Sequence, residues 1–213
     1  MSSTAAAGEA AASYPVQLDA RLDEPLSRWL WLVKWFLAIP HWIVLALLWV
    51  VFILLTIVAW FAILFTGRYP RAIFDFNVGV MRWTWRVEYY ATTVLGTDRY
   101  PPFTLGEVPD YPATLDVPYP ERLSRGLIFV KSWLLALPQL LIVGIFAGGW
   151  GVRFFSPGLI GVLSLIGIVI YAFRQRYPTD LFQLILGLCR WTWRVCAYVA
   201  LMRDEYPPFR LEP

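Results

Sequence analysis

The chain has 213 residues, of which 59% are hydrophobic and 15% are charged, and its formal net charge is +3. Soluble domains are typically about 45 to 50% apolar and about 25% charged, so this composition argues against an ordinary soluble domain and indicates a membrane protein. The few basic residues lie beside apolar segments, where contact with lipid headgroups explains them better than nucleic-acid binding does.

The chain begins with a short, mostly small-residue segment. Residues 1–13 have neither the basic start nor the apolar block of a cleaved signal peptide, and we interpret them as a disordered tail. Val16 and Leu18 then alternate with polar residues, a pattern that predicts a brief extended segment.

The first long apolar block covers residues 29–65 and contains one lysine, one histidine and no acidic residue. Apolar runs of about 18 residues or more are candidates for membrane spans. As one helix this block would be about 55 Å long, whereas the hydrocarbon core of a bilayer is about 30 Å thick. Two arrangements fit: two passes joined by a tight bend, or a half-length interfacial or re-entrant helix that ends at Pro40 and is followed by one full span.

An amphipathic helix covering about residues 71–95 is predicted after this block. Arg71, Arg82 and Arg86 fall on one side of the helix, and Trp83 falls on another. A basic face combined with an aromatic face is typical of a helix that lies among lipid headgroups, the depth that tryptophan prefers.

The chain is a tandem duplication, because several strings recur in the same order. The matching pairs are YPVQLD and YPATLD at 14–19 and 111–116, RWTWRV at 82–87 and 190–195, and YPPFTL and YPPFRL at 100–105 and 206–211. We therefore divide the chain into unit one, residues 14–107, and unit two, residues 108–213.

Unit two has a glycine-rich insertion in its apolar block, which predicts a loop between two passes, about 126–147 and about 157–173. A second amphipathic helix, about 179–202, follows. The predicted fold is an all-α integral membrane protein: a tandem duplication of a membrane helical hairpin, each followed by a basic amphipathic interfacial helix, with short extended cytoplasmic segments.

Charge predicts the topology. If each unit crosses the bilayer an even number of times, the basic clusters after both apolar blocks lie on one side, as the positive-inside tendency requires. We therefore predict a multi-pass protein of the plasma (inner) membrane with both termini in the cytoplasm.

The RWTWRV helices are the main candidate for contact with lipid or a partner. The residues assigned to this contact are Arg71, Arg82, Trp83, Trp85, Arg86, Arg190, Trp191, Trp193 and Arg194. Two alternatives stay open. The arginines pair with acidic residues of the central segment while the tryptophans pack inward, or the helices bind a protein partner or an anionic ligand. The acidic candidates are Asp98, Glu107, Asp110, Asp116 and Glu121.

Three ionisable residues lie inside the apolar blocks. Lys34 and Lys131 occupy equivalent positions of the two units, and His41 corresponds to Gln139. An ionisable group at membrane depth is by default a candidate functional site, but both lysines are close enough to the predicted boundary to extend their ammonium groups into water. For His41, beside Pro40, a hydrogen-bonded structural role is the simpler interpretation.

Nothing in the sequence indicates a cofactor, a metal or catalysis. One histidine and two cysteines seven residues apart on a predicted helix supply no ligand set for zinc or iron. No nucleotide loop and no Ser/His/Asp set is recognisable. We therefore predict a protein that is not an enzyme and has no cofactor.

Several strings of unit one carry a family resemblance: VKWFLAIPH at 33–41, FTGRYPRAIFDF at 65–76, RWTWRV at 82–87 and TDRYPPF at 97–103. In combination they resemble a bacterial membrane-protein family, common in actinobacteria, that is known only as a domain of unknown function. The resemblance covers about residues 14–211. It implies a membrane location and supplies no activity and no site residue.

The leading hypothesis is a non-enzymatic integral membrane scaffold or accessory protein. Its paired basic-aromatic helices would contact lipid headgroups, a membrane partner or a second copy of the chain. A small-solute or ion transporter that acts as an oligomer is the alternative, because internal repeats and intramembrane ionisable groups occur in transporters. A lipid-modifying enzyme is a third hypothesis, which the missing acid/base cluster disfavours.

Overall fold

The structure is a computed structural model that describes residues 14–147 and 158–212. The predicted disordered tail, 1–13, and the predicted loop between the passes of unit two lie outside the described residues. In chain order the elements are β1 Gln17–Ala20, α1 Trp31–Thr66, α2 Arg71–Ala91, β2 Ala113–Asp116, α3 Ile128–Val130, a π-helical turn Lys131–Leu135, α4 Leu137–Ala147, α5 Leu159–Arg174 and α6 Thr179–Val199.

α1 is a single continuous helix of 36 residues. Both arrangements predicted for this block, two passes with a bend and a half-helix ending at Pro40, are wrong. Pro40 removes one main-chain hydrogen bond, and no glycine or further proline follows it before the end of the helix. The helix ends at Gly67, whose φ of 70° lets its N–H bond to the carbonyl of Ile63 (2.7 Å).

The equivalent part of unit two consists of shorter helices. α3, the π-helical turn and α4 occupy 128–147, where one continuous pass is predicted, and α5 occupies most of the second predicted pass. α5 ends at Gln175 with a φ of 56°, the same left-handed ending that α1 has at Gly67. We call α1, α4 and α5 the outer helices.

The two amphipathic helices, α2 and α6, have 21 residues each. α2 runs back along α1: the Nε1 of Trp49 donates to the Oγ1 of Thr84 (3.1 Å), and the Nδ2 of Asn77 donates to the Oγ1 of Thr56 (3.3 Å). α6 packs against α4 and α5. Unit one is therefore a hairpin of one outer helix and one amphipathic helix, and the predicted hairpin of two membrane passes is not formed there.

The two predicted extended segments form a two-stranded antiparallel sheet. The register pairs Gln17 with Asp116, Leu18 with Leu115, Asp19 with Thr114 and Ala20 with Ala113. Leu18 and Leu115 are equivalent positions of the repeat, so the register is symmetric about this pair. An approximate twofold axis passes through the centre of the sheet, perpendicular to it, and relates the two units.

The sheet packs on the side of α2 and α6 that faces away from the outer helices. β2 contacts α2, and β1 contacts α6, so each strand lies against the helix of the other unit. The molecule thus has three layers: the outer helices, the pair α2 and α6, and the sheet with its loops. Core residues such as Phe74 and Ile185 are buried in this assembly, and each contributes about 1.5 to 3 kcal/mol of stability.

Two equivalent glycines let the last segment of each unit cross its amphipathic helix. A Cβ on Gly79 would lie 2.8 Å from the Cβ of Leu105, and a Cβ on Gly187 would lie 2.8 Å from the Cβ of Leu211. Carbon atoms do not approach each other this closely, so a larger residue would push the segment away. The contact holds the YPPF segments beside the RWTWRV strings.

Candidate functional site

α1 has an inverted distribution of polar and apolar side chains. Its ionisable residues, Lys34 and His41, are buried, whereas Leu47 is 67% exposed. The buried residues form one narrow stripe along the helix: Lys34, Ala38, His41, Leu45, Phe52, Ala59 and Ile63. Large apolar side chains cover the remaining surface. A surface helix of a soluble protein has the opposite arrangement.

The outer helices of unit two follow the same rule. Gln139, Ser164 and Tyr171 are buried, whereas Leu141 and Phe173 are exposed, the latter by 86%. Apart from Arg174 at the end of α5, polar groups of α4 and α5 therefore turn toward the protein and apolar groups turn outward. We call the exposed apolar surface of α1, α4 and α5 the apolar face.

Among the described residues, α1 is the one helix that is both long and apolar enough to cross a membrane. In its most apolar 18-residue window, 17% of the residues are buried, which is unlike the core helix of a soluble protein. α4 and α5 are apolar as well but have 11 and 16 residues. The helices alone therefore indicate association with a membrane and do not define how many times the chain crosses it.

The first arginine of each RWTWRV string binds the strand of the other unit. The Nε of Arg82 donates to the carbonyl of Leu115 (2.9 Å), and its Nη2 pairs with Asp116 and with Glu107 (2.8 Å). In unit two the Nε of Arg190 donates to the carbonyl of Leu18 (2.8 Å), and its Nη2 pairs with Asp19 (2.6 Å). These reciprocal bonds hold the two units together across the twofold axis.

The first tryptophan of each string donates its indole N–H to the outer helix of its own unit. The Nε1 of Trp83 donates to the Nδ1 of His41 (3.0 Å), and the Nε1 of Trp191 donates to the Oε1 of Gln139 (2.6 Å). Histidine and glutamine thus supply the same acceptor at equivalent positions. The ring of His41 also stacks on Phe103 at 3.9 Å, so the structural role predicted for His41 agrees with its contacts.

The second tryptophans are buried between α2 and α6. Trp85 lies in the main core, and Trp193 lies beside the carboxylate of Glu88. Glu88 borders a cavity of about 320 Å³ that is also lined by Thr92 and Cys189. Burial raises the pKa of Glu88 to about 7, although the polar indole N–H of Trp193 opposes this shift. No feature of the sequence singles out Glu88, because its counterpart in unit two is Cys196.

The second arginine of each string binds main-chain carbonyls of its own unit. Arg86 donates from Nη2 to the carbonyl of Thr104, and Arg194 donates to the carbonyls of Arg210 (3.2 Å) and Glu212 (2.8 Å). Both guanidinium groups are buried. They fix the segment that follows each YPPF string. Burial raises the pKa of the Tyr14 hydroxyl above its usual value, and the nearby positive charge of Arg194 opposes this shift.

The contact with lipid headgroups expected from the RWTWRV helices is therefore not found for most of the residues assigned to it. Trp83, Trp85, Arg86, Arg190, Trp191, Trp193 and Arg194 are buried, and Arg82 is largely covered. Arg71 is exposed and pairs with Asp75 at 3.2 Å. The structure agrees in part with the alternative of internal pairing. The tryptophans pack inward, but only Arg82 pairs with acidic residues named for that alternative, Glu107 and Asp116. Arg190 pairs with Asp19 instead, and Arg86 and Arg194 bind main-chain carbonyls of their own units.

The two lysines are also held inside the protein. The Nζ of Lys34 lies 2.8 Å from the Oδ1 of Asp98, and the Nζ of Lys131 lies 2.9 Å from the Oδ1 of Asp204. A tyrosine ring of the amphipathic helix lies 5.3 Å and 4.9 Å from the two ammonium groups. The sequence suggested that both ammonium groups extend into water, but neither of them does. Each forms a buried ion pair with an aspartate of its own unit.

Sequence reasoning missed these aspartates as partners of the lysines, although a signal was present. Asp98 and Asp204 occur at the same place in TDRYPPF and RDEYPPF, so both members of the ion pair are repeated. Each aspartate also accepts a hydrogen bond from a main-chain N–H just before the apolar block of its unit. Ser27 donates to Asp98, and Ser124 donates to Asp204.

The hydrogen bond to Trp83 leads to a prediction that uses unit two as its reference. We expect His41→Gln to change the stability by less than about 1 kcal/mol, because glutamine supplies this acceptor at Gln139. His41→Leu should cost about 1 to 3 kcal/mol, since a buried indole N–H loses its acceptor. Unfolding midpoints in detergent would compare the two variants. Equal destabilisation by glutamine and leucine would show that acceptance of this hydrogen bond is not the role of His41.

The model of a family described as a domain of unknown function (DUF4389) matches the chain twice, over residues 28–104 and 133–210. Together the two matches cover more than half of the chain, with one match in each unit. The chain belongs to this family. The resemblance to a family known only as a domain of unknown function, present as two tandem units, is therefore confirmed. A search of curated proteins and a search of solved structures found no match.

Each DUF4389 match includes one RWTWRV string and one YPPF segment and leaves out the strand of its unit. The repeated part of the family thus corresponds to the outer helix or helices of a unit, its amphipathic helix and its YPPF segment. The hydrogen bonds of the RWTWRV residues explain the repetition of the string within this chain, because both copies make equivalent contacts.

Proposed function

We propose that the protein is a non-enzymatic scaffold that resides in a lipid bilayer through its apolar face. The inverted distribution of side chains on the outer helices carries this proposal, because leucine, isoleucine and phenylalanine side chains are exposed while lysine, histidine and glutamine are buried. Exposing apolar surface to water costs about 25 cal/mol per Å², and apolar patches larger than a few hundred Å² normally mark an interface. Contact with hydrocarbon removes this cost.

The proposal changes which residues contact lipid. Contact through the RWTWRV helices is replaced by contact through α1, α4 and α5, and the RWTWRV side chains serve the internal structure. A scaffold fits these bonds better than a transporter does, because the ammonium groups of Lys34 and Lys131 are occupied by Asp98 and Asp204. A transport pathway would need such groups to face an open cavity.

Location and partners are part of the same proposal. We assign the protein to a plasma (inner) membrane, with lipid as its main contact. Two topologies are compatible with the apolar face: one in which the outer helices cross the bilayer, α1 doing so once, and one in which the outer helices lie within a single leaflet. The multi-pass arrangement with cytoplasmic termini that the sequence predicts needs an even number of passes in each unit, which the continuous α1 does not provide. On the opposite side, the exposed sheet is available to a membrane partner or a second copy of the chain.

Extraction of membranes tests this residence. After expression of the full-length chain, we expect the protein to stay in the membrane pellet through alkaline carbonate and urea washes and to dissolve only in detergent. Release by either wash would contradict the proposal.

A pair of matched variants sharpens this test. Ile57→Asp places a charge on the exposed surface of α1, and Thr114→Asp places one on the exposed side of the sheet. Only the first should reduce the amount of protein retained in the membrane, because an aspartate in hydrocarbon costs about 2.5 to 3.5 kcal/mol at the centre of a bilayer. Equal retention of both variants would argue against lipid contact at the apolar face.

A further inference from the structure

We infer that the apolar face lies flat in one leaflet, so that the outer helices run along the membrane and the sheet faces water on the same side. This inference rests on the proposed membrane residence and adds an orientation to it. The binding partner of the apolar face is the surface of a bilayer that contains anionic lipid. The three-layer arrangement, the length of α1 and the positions of exposed charges carry the argument.

The length of α1 fits the membrane plane better than the membrane normal. A helix of 36 residues is about 54 Å long, whereas the hydrocarbon core is about 30 Å thick. To keep the whole helix within that core, α1 would need a tilt of about 55°, beyond the range of about 0 to 40° found for membrane-spanning helices. A helix that lies in the plane has no such limit.

The sheet is level with the middle of α1. Trp49, near the midpoint of α1, bonds to Thr84 of α2, and the nearby Arg82 bonds from the other side of α2 to Leu115 of β2. The centre of the sheet therefore lies across α2 from the centre of α1. If α1 crossed a bilayer, the sheet would be placed at the depth of the bilayer centre.

The exposed side of the sheet does not tolerate that depth. On the strands, the side chains of Asp19 and Asp116 are 69% and 55% exposed, and that of Glu107, which pairs with Arg82 beside β2, is 70% exposed. Acidic groups at the bilayer centre cost about 2.5 to 3.5 kcal/mol each, and a two-stranded sheet also has free edges whose main-chain groups find no hydrogen-bond partners in hydrocarbon. Orientation of the outer helices in the plane keeps both features in water.

The twofold axis points to the same orientation. The axis is perpendicular to the sheet, and the sheet, the amphipathic helices and the outer helices are stacked along it. When the axis is parallel to the membrane normal, both units present their outer helices at equal depth, as expected if equivalent apolar surfaces contact the same medium. When the axis lies in the membrane plane, the equivalent surfaces point in opposite directions across the bilayer.

Basic residues are positioned at the rim of the apolar face. Exposed arginines flank the outer helices of each unit: Arg28 and Arg68 in unit one, and Arg125, Arg174 and Arg176 in unit two. In the inferred orientation these residues are close to the headgroups, where each contributes about 1 kcal/mol of attraction to an anionic leaflet. The apolar face itself would enter about 5 to 10 Å into the leaflet.

Labelling from one side of the membrane tests the inference with the full-length chain. Single cysteines are introduced as Arg28→Cys, Arg68→Cys, Arg125→Cys, Arg174→Cys and Thr114→Cys, and each variant is exposed to an impermeant maleimide in spheroplasts and in inverted membrane vesicles. The parent chain measures the contribution of Cys189 and Cys196. We expect all five positions to react from the same side.

Depth measurements provide a second readout in reconstituted vesicles of equal parts phosphatidylcholine and phosphatidylglycerol. Nitroxide labels at Leu47, Phe65 and Leu141, which are all exposed, should be equally shallow. Reaction of Arg28→Cys and Arg68→Cys from opposite sides, or a label at Leu47 far deeper than one at Phe65, would overturn the inferred orientation and leave the membrane residence intact. A chain that washes off the membrane would instead contradict the proposed function.

Discussion

Replacement of Asp204 by alanine is expected to destabilise the protein by about 3 to 5 kcal/mol, because it leaves the buried ammonium of Lys131 without its carboxylate. The side chain of Lys131 is 1% exposed, whereas that of Asp204 is 26% exposed. Removal of the lysine is therefore less harmful. In Lys131→Met the carboxylate is partly hydrated and still accepts the N–H of Ser124, so we expect a loss of about 1 to 3 kcal/mol.

Unit one contains the matched control for this asymmetry. The ammonium of Lys34 bonds to Asp98 and also to the carbonyls of Leu95 (3.3 Å) and Thr97 (2.6 Å). Asp98→Ala should therefore cost less than Asp204→Ala, while Lys34→Met should resemble Lys131→Met. Denaturant titrations in detergent of the four single variants and the two double variants would measure these differences.

The order of the four variants decides the interpretation. If the aspartate variants are no less stable than the lysine variants, the ammonium groups reach water and the ion pairs are not buried. If each double variant is much more stable than its aspartate single variant, the ion pair acts as a unit, and the uncompensated charge of the lysine causes the destabilisation.

Replacement of Arg190 by methionine is expected to cost about 2 to 4 kcal/mol. The variant loses a charge-assisted hydrogen bond to the carbonyl of Leu18, which is worth about 1.5 to 3 kcal/mol, and a pair with the exposed Asp19 that is worth at most about 1 kcal/mol. Arg82→Met should cost somewhat less, because the side chain of Arg82 is more exposed than that of Arg190.

Arg71→Met is the matched control for these variants. Arg71 pairs with Asp75 on the surface of the same helix and lies 4.6 Å from the centre of the Tyr119 ring. At exposed sites such contacts contribute about 0.3 to 0.5 kcal/mol and about 0.5 to 1 kcal/mol. Arg71→Met should therefore lower the stability in detergent by about 1.5 kcal/mol at most, less than Arg190→Met. If Arg190→Met behaves like Arg71→Met, the contact between α6 and β1 does not hold the units together.

The duplication, the family and the two amphipathic helices could be predicted from the sequence. RWTWRV is identical in both copies, and the period of apolar residues around it is helical. These are local properties of the chain. The alternation of residues such as Val16 and Leu18 predicts the extended segments for the same reason.

The burial of the RWTWRV side chains could not be predicted in this way. Amphipathicity shows that a helix has two different sides, but it does not show what covers them. The basic side of α2 is covered by β2, whose Asp116 lies 34 residues further along the chain than Arg82, and the basic side of α6 is covered by β1 from the beginning of the chain. Contacts at such separations leave no periodic signal.

The continuity of α1 could not be predicted from the length of the apolar block. A comparison of that length with the thickness of a bilayer requires a bend or an end of the helix somewhere between 29 and 65. The residues themselves contain no bend signal apart from Pro40. A helix that lies along a second helix and exposes one side has no length limit, and the sequence does not distinguish this case from a span.

The reciprocal bonds of Arg82 and Arg190 have a consequence for how such a molecule is assembled. A polypeptide with a single copy of the unit would carry a strand that its own helix does not contact, and it would complete its structure only as a homodimer. Fusion of two copies makes this pairing intramolecular and independent of concentration. It also frees the halves to diverge, as His41 and Gln139 have done.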